Sequence, residues 1–223
     1  GLLNADVLIY RARSPVTLDA ESRDAAIAEC RRLNPLRIDG VARVLDMDTN
    51  QGTLSLIVEF VDGERLDSLI RRGGVEPHHA AAIARQLVNS VSELHRHQVA
   101  HGGLSPASIV VSSDGRPSIV DLGTAPLRRL LRRANRRSGE STASAADADS
   151  RSTRDLQQED IRALGDVLQS VLRAAATSGD SRTDRMLTAL RAAADRASRG
   201  SESGFDDIQQ LSAAVNEATK PRS

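Results

Sequence analysis

The side chains able to do chemistry gather between His95 and Asp121, with one basic cluster just beyond them. His95, His97 and His101 invite a metal reading, but His95 and His97 lie two apart in a helical pattern and face different ways. No cysteine or paired carboxylate completes a ligand set, so structural histidines are expected. Asp121 is the next candidate. It closes a stretch in which two β-branched runs, around Ile109-Val110-Val111 and Ile119-Val120, flank Asp114-Gly115. Such a pair predicts a hairpin, because Gly accepts the positive φ of a tight turn. A His101-led loop enters this hairpin and Asp121-Leu122-Gly123 leaves it. Beyond it come Arg128, Arg129, Arg132, Arg133, Arg136 and Arg137. On a helix, arginines at i and i+4 form a basic stripe. The stripe reads as a solvated face, or as a docking patch for an acidic or phosphorylated partner that a guanidinium meets bidentately. Nucleic acid is not expected, since no aromatics interleave to stack on bases.

The elements that must position these groups are legible from periodicity. Residues 6–11, Asp-Val-Leu-Ile-Tyr-Arg, read as a strand. A helical pattern spans 20–33 and ends at Asn34-Pro35, where the proline ring blocks continuation. Residues 40–47 and 54–60 read as strands joined by the polar turn Asp48 to Gly52. From Pro77 to His97, the apolar residues Ala80, Ile83, Ala84, Leu87, Val91 and Leu94 recur at three and four, which predicts a long helix. Ser138 to Thr153 is a Ser/Ala/Asp-rich loop. Helices are then expected over 156–176, 182–197 and 205–218.

On these elements the stretch from His101 to Gly123 resembles the catalytic centre of the eukaryotic-like Ser/Thr protein kinases, whose signature is H-R-D-L-x-x-x-N, a hairpin and D-F-G. His101, Leu104, Pro106 and Asp121-Leu122-Gly123 match that frame, while the positions of the loop Asp, Lys and Asn hold Gly103, Ser105 and Ser108. The resemblance also puts Tyr10 at the phosphate-binding Lys of V-A-I-K and Glu29 at the helix-C Glu. It makes Glu59 and Val61 the hinge residues that meet adenine, and Asp160 the helix-F Asp that ties down the catalytic loop. No G-x-G-x-x-G occurs, and residues 124–159, a degenerate activation segment, contain no A-P-E.

The resemblance implies an α+β fold, protein kinase-like and two-lobed, with a truncated β-rich N-lobe over 1–61 and a helical C-lobe over 62–223. With Gly103 offering no base, Ser105 no charge and Ser108 only a hydroxyl, the expectation is a catalytically inactive pseudokinase that acts as a regulatory scaffold. It is not expected to be an enzyme or to need a cofactor, and a residual ATP- and magnesium-binding or weakly active kinase is the alternative. Residues 37–46 also resemble the kinase-like domains of actinobacterial MviN/MurJ-type lipid II flippases. That likeness implies phosphorylation by a partner Ser/Thr kinase and recruitment of a forkhead-associated protein, without marking the modified residue. Separately, the hydroxyls of the Ser138 to Thr153 loop read as targets for another kinase or as exposed serines that solubilise the loop.

Composition sets the outer limits. Thirty basic and thirty acidic residues cancel over 223 positions, so no global field points to nucleic acid or an anionic membrane. No apolar run approaches the roughly 18 residues that span a bilayer. A cytoplasmic chain is expected, either free or as the soluble domain of a membrane protein. The single cysteine, Cys30, excludes an internal disulfide and is expected to be a buried, inert thiol. With one Tyr, two Phe and no Trp, the core must rest on aliphatic side chains.

Overall fold

The computed structural model describes residues 6–11, 20–48, 54–73, 75–124, 127, 152–176, 179–200 and 204–220. Its described residues fall into two compact units. One takes those within Gly1–Arg37, Val41–Val61 and Asp121–Ser152, and the other those within Ile38–Gly40, Asp62–Val120 and Thr153–Ser223. The Arg128 to Arg137 cluster and most of the Ser/Thr-rich loop lie outside the described residues.

Among its described residues the first unit holds a three-stranded antiparallel sheet and a helix. Strands β1 (Val7–Arg11), β2 (Val44–Asp48) and β3 (Ser55–Glu59) pair in the order β1-β3-β2, and α1 spans Ala20–Leu33. Register puts Leu8 opposite Val58 and Tyr10 opposite Leu56. Cross-strand partners share a face, so Leu8 and Tyr10 lie on the same face as the buried Leu56 and Val58; Tyr10 is half-buried there, while Leu8, nearer the strand's start, is 38% exposed. Asn34 ends α1 and donates its side-chain amide to the carbonyls of Val44 (3.3 Å) and Leu45 (2.6 Å), which fastens the helix end to β2.

The strand expected over 40–47 starts only at Val44. Gly40 instead takes φ +71°, and a Cβ there would lie 2.6 Å from the Ser90 hydroxyl. This turn belongs to the second unit. Ser90 donates to the Asp39 carbonyl (2.8 Å), and the Ile119 N–H donates to the Gly40 carbonyl (2.8 Å). Close approach decided the local conformation over the β-branched pattern.

The second unit is helical apart from a small sheet, β4 (Glu64–Arg65), β5 (Ile109–Val111) and β6 (Pro117–Ile119), in that order. The hairpin turns at Gly115, φ +81°, with Ser112 N–H donating to Arg116 O across it. Helix α2 (Leu66–Arg72) is followed by α3 (Pro77–Arg96), which buries Ala80, Ile83, Ala84, Leu87, Val91 and Leu94, the residues spaced at three and four. Then come α4 (Thr153–Ala174), α5 (Ser181–Ser198) and α6 (Ile208–Thr219). Gly165 lets α4 and α5 touch: a Cβ there would sit 2.6 Å from Ser198 N and 2.9 Å from Ala194 O.

Helix α6 begins three residues later than periodicity suggests. The Asp207 carboxylate accepts from Gln210 N (3.0 Å) and caps it, while Phe205 is buried before the helix with the Arg196 guanidinium 4.3 Å above its ring. The resulting architecture is a small β-rich lobe and a helical lobe, the α+β kinase-like fold.

Candidate functional site

Candidate residues occur in both units. In the helical unit the candidate part is a loop held by a buried carboxylate. Asp160 lies on the inward face of α4 and is 1% exposed. Its Oδ2 accepts from His101 N (2.7 Å) and its Oδ1 from Gly102 N (2.8 Å). His95 Nε2 is 3.1 Å from Oδ2, and since an ionised carboxylate only accepts, that nitrogen carries the proton. The His101 ring, itself buried, donates from Nε2 to the Val120 carbonyl at 2.9 Å. The loop is thereby pinned at both its start and the exit of the hairpin. His95 and His101 are used as hydrogen-bonding struts, while His97 is exposed and lies 3.4 Å from Glu93.

Downstream in the loop, Gly103 is exposed and brings no side chain. Ser105 and Ser108 bracket a single 3₁₀ turn, Pro106–Ser108. The Ser108 hydroxyl accepts from Ser105 N (3.0 Å) and donates to Ser105 O (2.9 Å). That hydroxyl closes its own turn, so it does not stand in for a metal-binding amide.

In the sheet unit the part is Asp121-Leu122-Gly123. Asp121 adopts φ +66°, sparsely populated for a residue with a side chain. Its carbonyl accepts from Thr124 N (3.0 Å) and from the Thr124 hydroxyl (2.8 Å), which holds the turn. Gly123, at φ +87°, lies so close to α1, β3 and β2 that a Cβ would meet Leu33 at 3.2 Å and Leu56 at 3.4 Å. Leu122 is buried beside it. The backbone thus fixes the point from which the Asp121 side chain departs. The Tyr10 hydroxyl of β1 donates to its Oδ1.

Glu29 does not meet Tyr10. It pairs with Arg32 one turn along α1, Nη2 to Oε1 at 2.6 Å. Glu59 gives its N–H to the Arg43 carbonyl (2.9 Å) and its carboxylate lies 3.3 Å from Arg43 Nε, so any adenine contact of Glu59 rests on its carbonyl. Val61 is half-buried at the end of the unit.

Sequence reasoning missed the Tyr10 to Asp121 bond and the left-handed Asp121. The only signal for either was the polar tip at the end of an otherwise aliphatic strand. Among the described residues no group of three or more His, Cys, Asp or Glu is arranged to hold a metal ion. Magnesium nevertheless needs only one or two protein carboxylates when a nucleotide's phosphates supply the other oxygens. Asp121, exposed enough to be only half-buried and rigidly presented, fits that limited demand.

A carboxylate on a D-L-G turn, a His-led loop tied to a buried helix Asp and a hairpin between them define the class as kinase-like. The protein kinase domain family matches residues 13–198, and the chain belongs to that family. The cell division control protein 2 homolog 3 of Trypanosoma brucei brucei is 34% identical over 101 residues, which is 45% of this chain and 32% of that protein. The mitogen-activated protein kinase kinase 9 of Arabidopsis thaliana is 33% identical over 76 residues, 34% of this chain and 24% of that protein. The chain therefore spans about a quarter to a third of these relatives' length. The kinase domain of Mycobacterium tuberculosis PknI superposes with a TM-score of 0.65 at 17% identity, covering 96% of this chain and 86% of that one. This last likeness speaks to fold alone.

These findings correct one expectation. The reading of the chain as a non-enzyme rested on Gly103, Ser105 and Ser108, and the family and its kinase relatives overturn it in favour of a protein kinase domain. The loop substitutions remain as a fact about this chain, to be weighed as a matter of rate. The family works with ATP and magnesium. Among the described residues no helix is long and apolar enough to cross a membrane.

Proposed function

We propose that this chain is a nucleotide-binding Ser/Thr protein kinase domain of weak phosphotransfer activity. The observation that carries this reading is the fixed presentation of Asp121, whose strained backbone is held by Thr124 and by the close seat of Gly123. Sparsely populated backbone persists where surrounding structure over-determines it, and such places cluster at functional sites.

ATP with magnesium, when bound, supplies the transferable phosphoryl group. Asp121 is the residue that would hold the cation, and the carbonyl of Glu59 and the backbone of Val61 are the groups that would face the base. Asp160, through His101 and Gly102, keeps the loop in the conformation over which a substrate hydroxyl is presented. Gly103 provides no proton acceptor, so the hydroxyl must lose its proton to water. General-base catalysis is worth about 10²- to 10⁴-fold, and turnover should fall below that of a kinase with the loop Asp by about that factor.

Radiolabelled ATP turnover, measured with the chain and with Asp121→Ala, tests the reading. Slow turnover that disappears in Asp121→Ala is expected, together with a rise in melting temperature with ATP and magnesium. Turnover indifferent to Asp121, or no thermal shift at millimolar nucleotide, would refute it.

A regulatory role belongs to the same proposal and is supported by charge. The arginines between 128 and 137 next to the Ser/Thr-rich loop fit a segment that recognises, or becomes, a phosphorylated surface. The likeness of residues 37–46 to flippase-attached kinase-like domains makes a forkhead-associated protein the partner to try. Binding of such a protein only after the chain has been phosphorylated by a second kinase is the expected result. Equal binding without phosphate would remove this part.

A further inference from the structure

Where the resemblance implies a lysine, β1 carries a tyrosine, and that tyrosine is occupied. Its register places it beside Leu56 on the core side of the sheet, and its hydroxyl donates to the Asp121 carboxylate. The main chain that carries the carboxylate is held: φ +66° at Asp121, the two Thr124 contacts and the seat of Gly123 against Leu33 and Leu56 fix the turn. The phenol is uncharged, so it offers a nucleotide's phosphates no counter-charge. It does satisfy one lone pair of the carboxylate that a divalent cation would need.

We infer that Tyr10 is a positioning residue for Asp121: its hydroxyl latches the carboxylate in the absence of cation and must let go when a cation–nucleotide complex arrives. This rests on the nucleotide-binding reading above. Two consequences are specific to a latch. Removing the hydroxyl should tighten binding of the magnesium–nucleotide complex, because a hydrogen bond to a charged acceptor no longer has to be broken. Such a bond corresponds to about a ten- to hundredfold change in affinity. Binding of nucleotide without metal should not change, since the latch then stays closed.

The composition provides the reporter. Tyr10 is the only tyrosine and the chain has no tryptophan, so tyrosine emission comes from this one ring. A phenol hydrogen-bonded to a carboxylate is quenched, because its excited state passes the proton across the bond. The experiment uses the full 223-residue chain, Asp121→Asn and Tyr10→Phe. Asn tolerates the left-handed backbone at 121, so Asp121→Asn removes the charged acceptor with little strain.

Three results are expected. Emission of the ligand-free chain rises in Asp121→Asn. It rises in the unsubstituted chain when a non-hydrolysable ATP analogue is added with magnesium, and not when the analogue is added with EDTA. In equilibrium dialysis, Tyr10→Phe binds the magnesium complex at least several-fold more tightly and the metal-free analogue unchanged. A merely structural tyrosine would leave the ratio of the two affinities where it was. The latch is overturned if emission is the same in Asp121→Asn, or if Tyr10→Phe binds the magnesium complex no better. Binding by Tyr10→Phe alone supports the latch and removes the unsubstituted chain's nucleotide role. Absence of binding in both sinks the functional reading, and the latch then stands or falls on the Asp121→Asn emission.

Discussion

Replacing Asp160 by Ala tests whether one buried carboxylate holds the His101 loop. The side chain is 1% exposed and accepts three hydrogen bonds, from His101 N, Gly102 N and His95 Nε2, at 2.7, 2.8 and 3.1 Å. Alanine leaves two main-chain N–H groups and a buried imidazole N–H with nothing to bond to. Orphaned buried donors cost about 1–3 kcal/mol each. Water entering the space left by the carboxylate moderates the sum, so about 4 kcal/mol is expected. At about 2–4 °C per kcal/mol for a chain of this size, melting should fall by about 8–16 °C. Asp160→Asn keeps the shape and one acceptor but aims an amide N–H at a main-chain donor, so about half the loss is expected. Urea unfolding followed by circular dichroism gives the free energies, and hydrogen exchange of the His101 and Gly102 amides gives the local effect. If Asp160→Ala unfolds within about 1 kcal/mol of the parent, or those two amides keep their protection, the carboxylate is not what holds the loop.

Three further outcomes follow from the packing and the ionisable groups. Gly165→Ala must push α4 and α5 apart, since the new methyl would meet main-chain atoms of Ser198 and Ala194; overpacking of this kind costs about 1–3 kcal/mol, read as a lower urea midpoint at unchanged slope. The Asp180 carboxyl caps α5, and its hydrogen bonds from the Thr183 hydroxyl, then the Thr183 and Arg182 amides, hold it below the usual carboxylate range. Because the folded-state value is depressed, the cap's contribution is complete above the unfolded value of about 3.9 and is lost as pH falls through the folded one. The gap in melting temperature between the parent and Asp180→Ala should be constant from neutral pH to about 5 and close in more acid buffer. A gap that widens on acidification would contradict the cap. Burial first, then the carboxylates of Asp46 and Glu29, push the Cys30 thiol up. Iodoacetamide should therefore modify it more slowly at pH 8 than an unstructured peptide thiol, and at the peptide's rate in urea.

Much of the fold was legible in residue order. The three-and-four spacing from Ala80 to Leu94 wrote α3, Asn34-Pro35 ended α1, and Asp114-Gly115 set the hairpin, because each is a local demand of backbone geometry. Helix ends were less legible where a side chain caps from outside the periodic run, as Asp207 does for α6. The strand expected from Gly40 failed because contacts with Ser90 and Ile119, far away in sequence, outweighed β propensity.

At the candidate site the residue types came from the sequence alone: a D-L-G carboxylate, a loop without its acid, lysine or amide, and a tyrosine in place of a strand lysine. Identity, however, says only what a group can do, and partners decide what it does. Tertiary structure decided that Tyr10 spends its hydroxyl on Asp121, while Glu29 and Ser108 take partners three residues away in their own helix and turn. Asp160 collects donors from chain positions 58, 59 and 65 residues away. Hydrogen bonds are directional and reach only about 3 Å, so which of many sequence-compatible pairs forms is settled by packing the aliphatic core that brings them together.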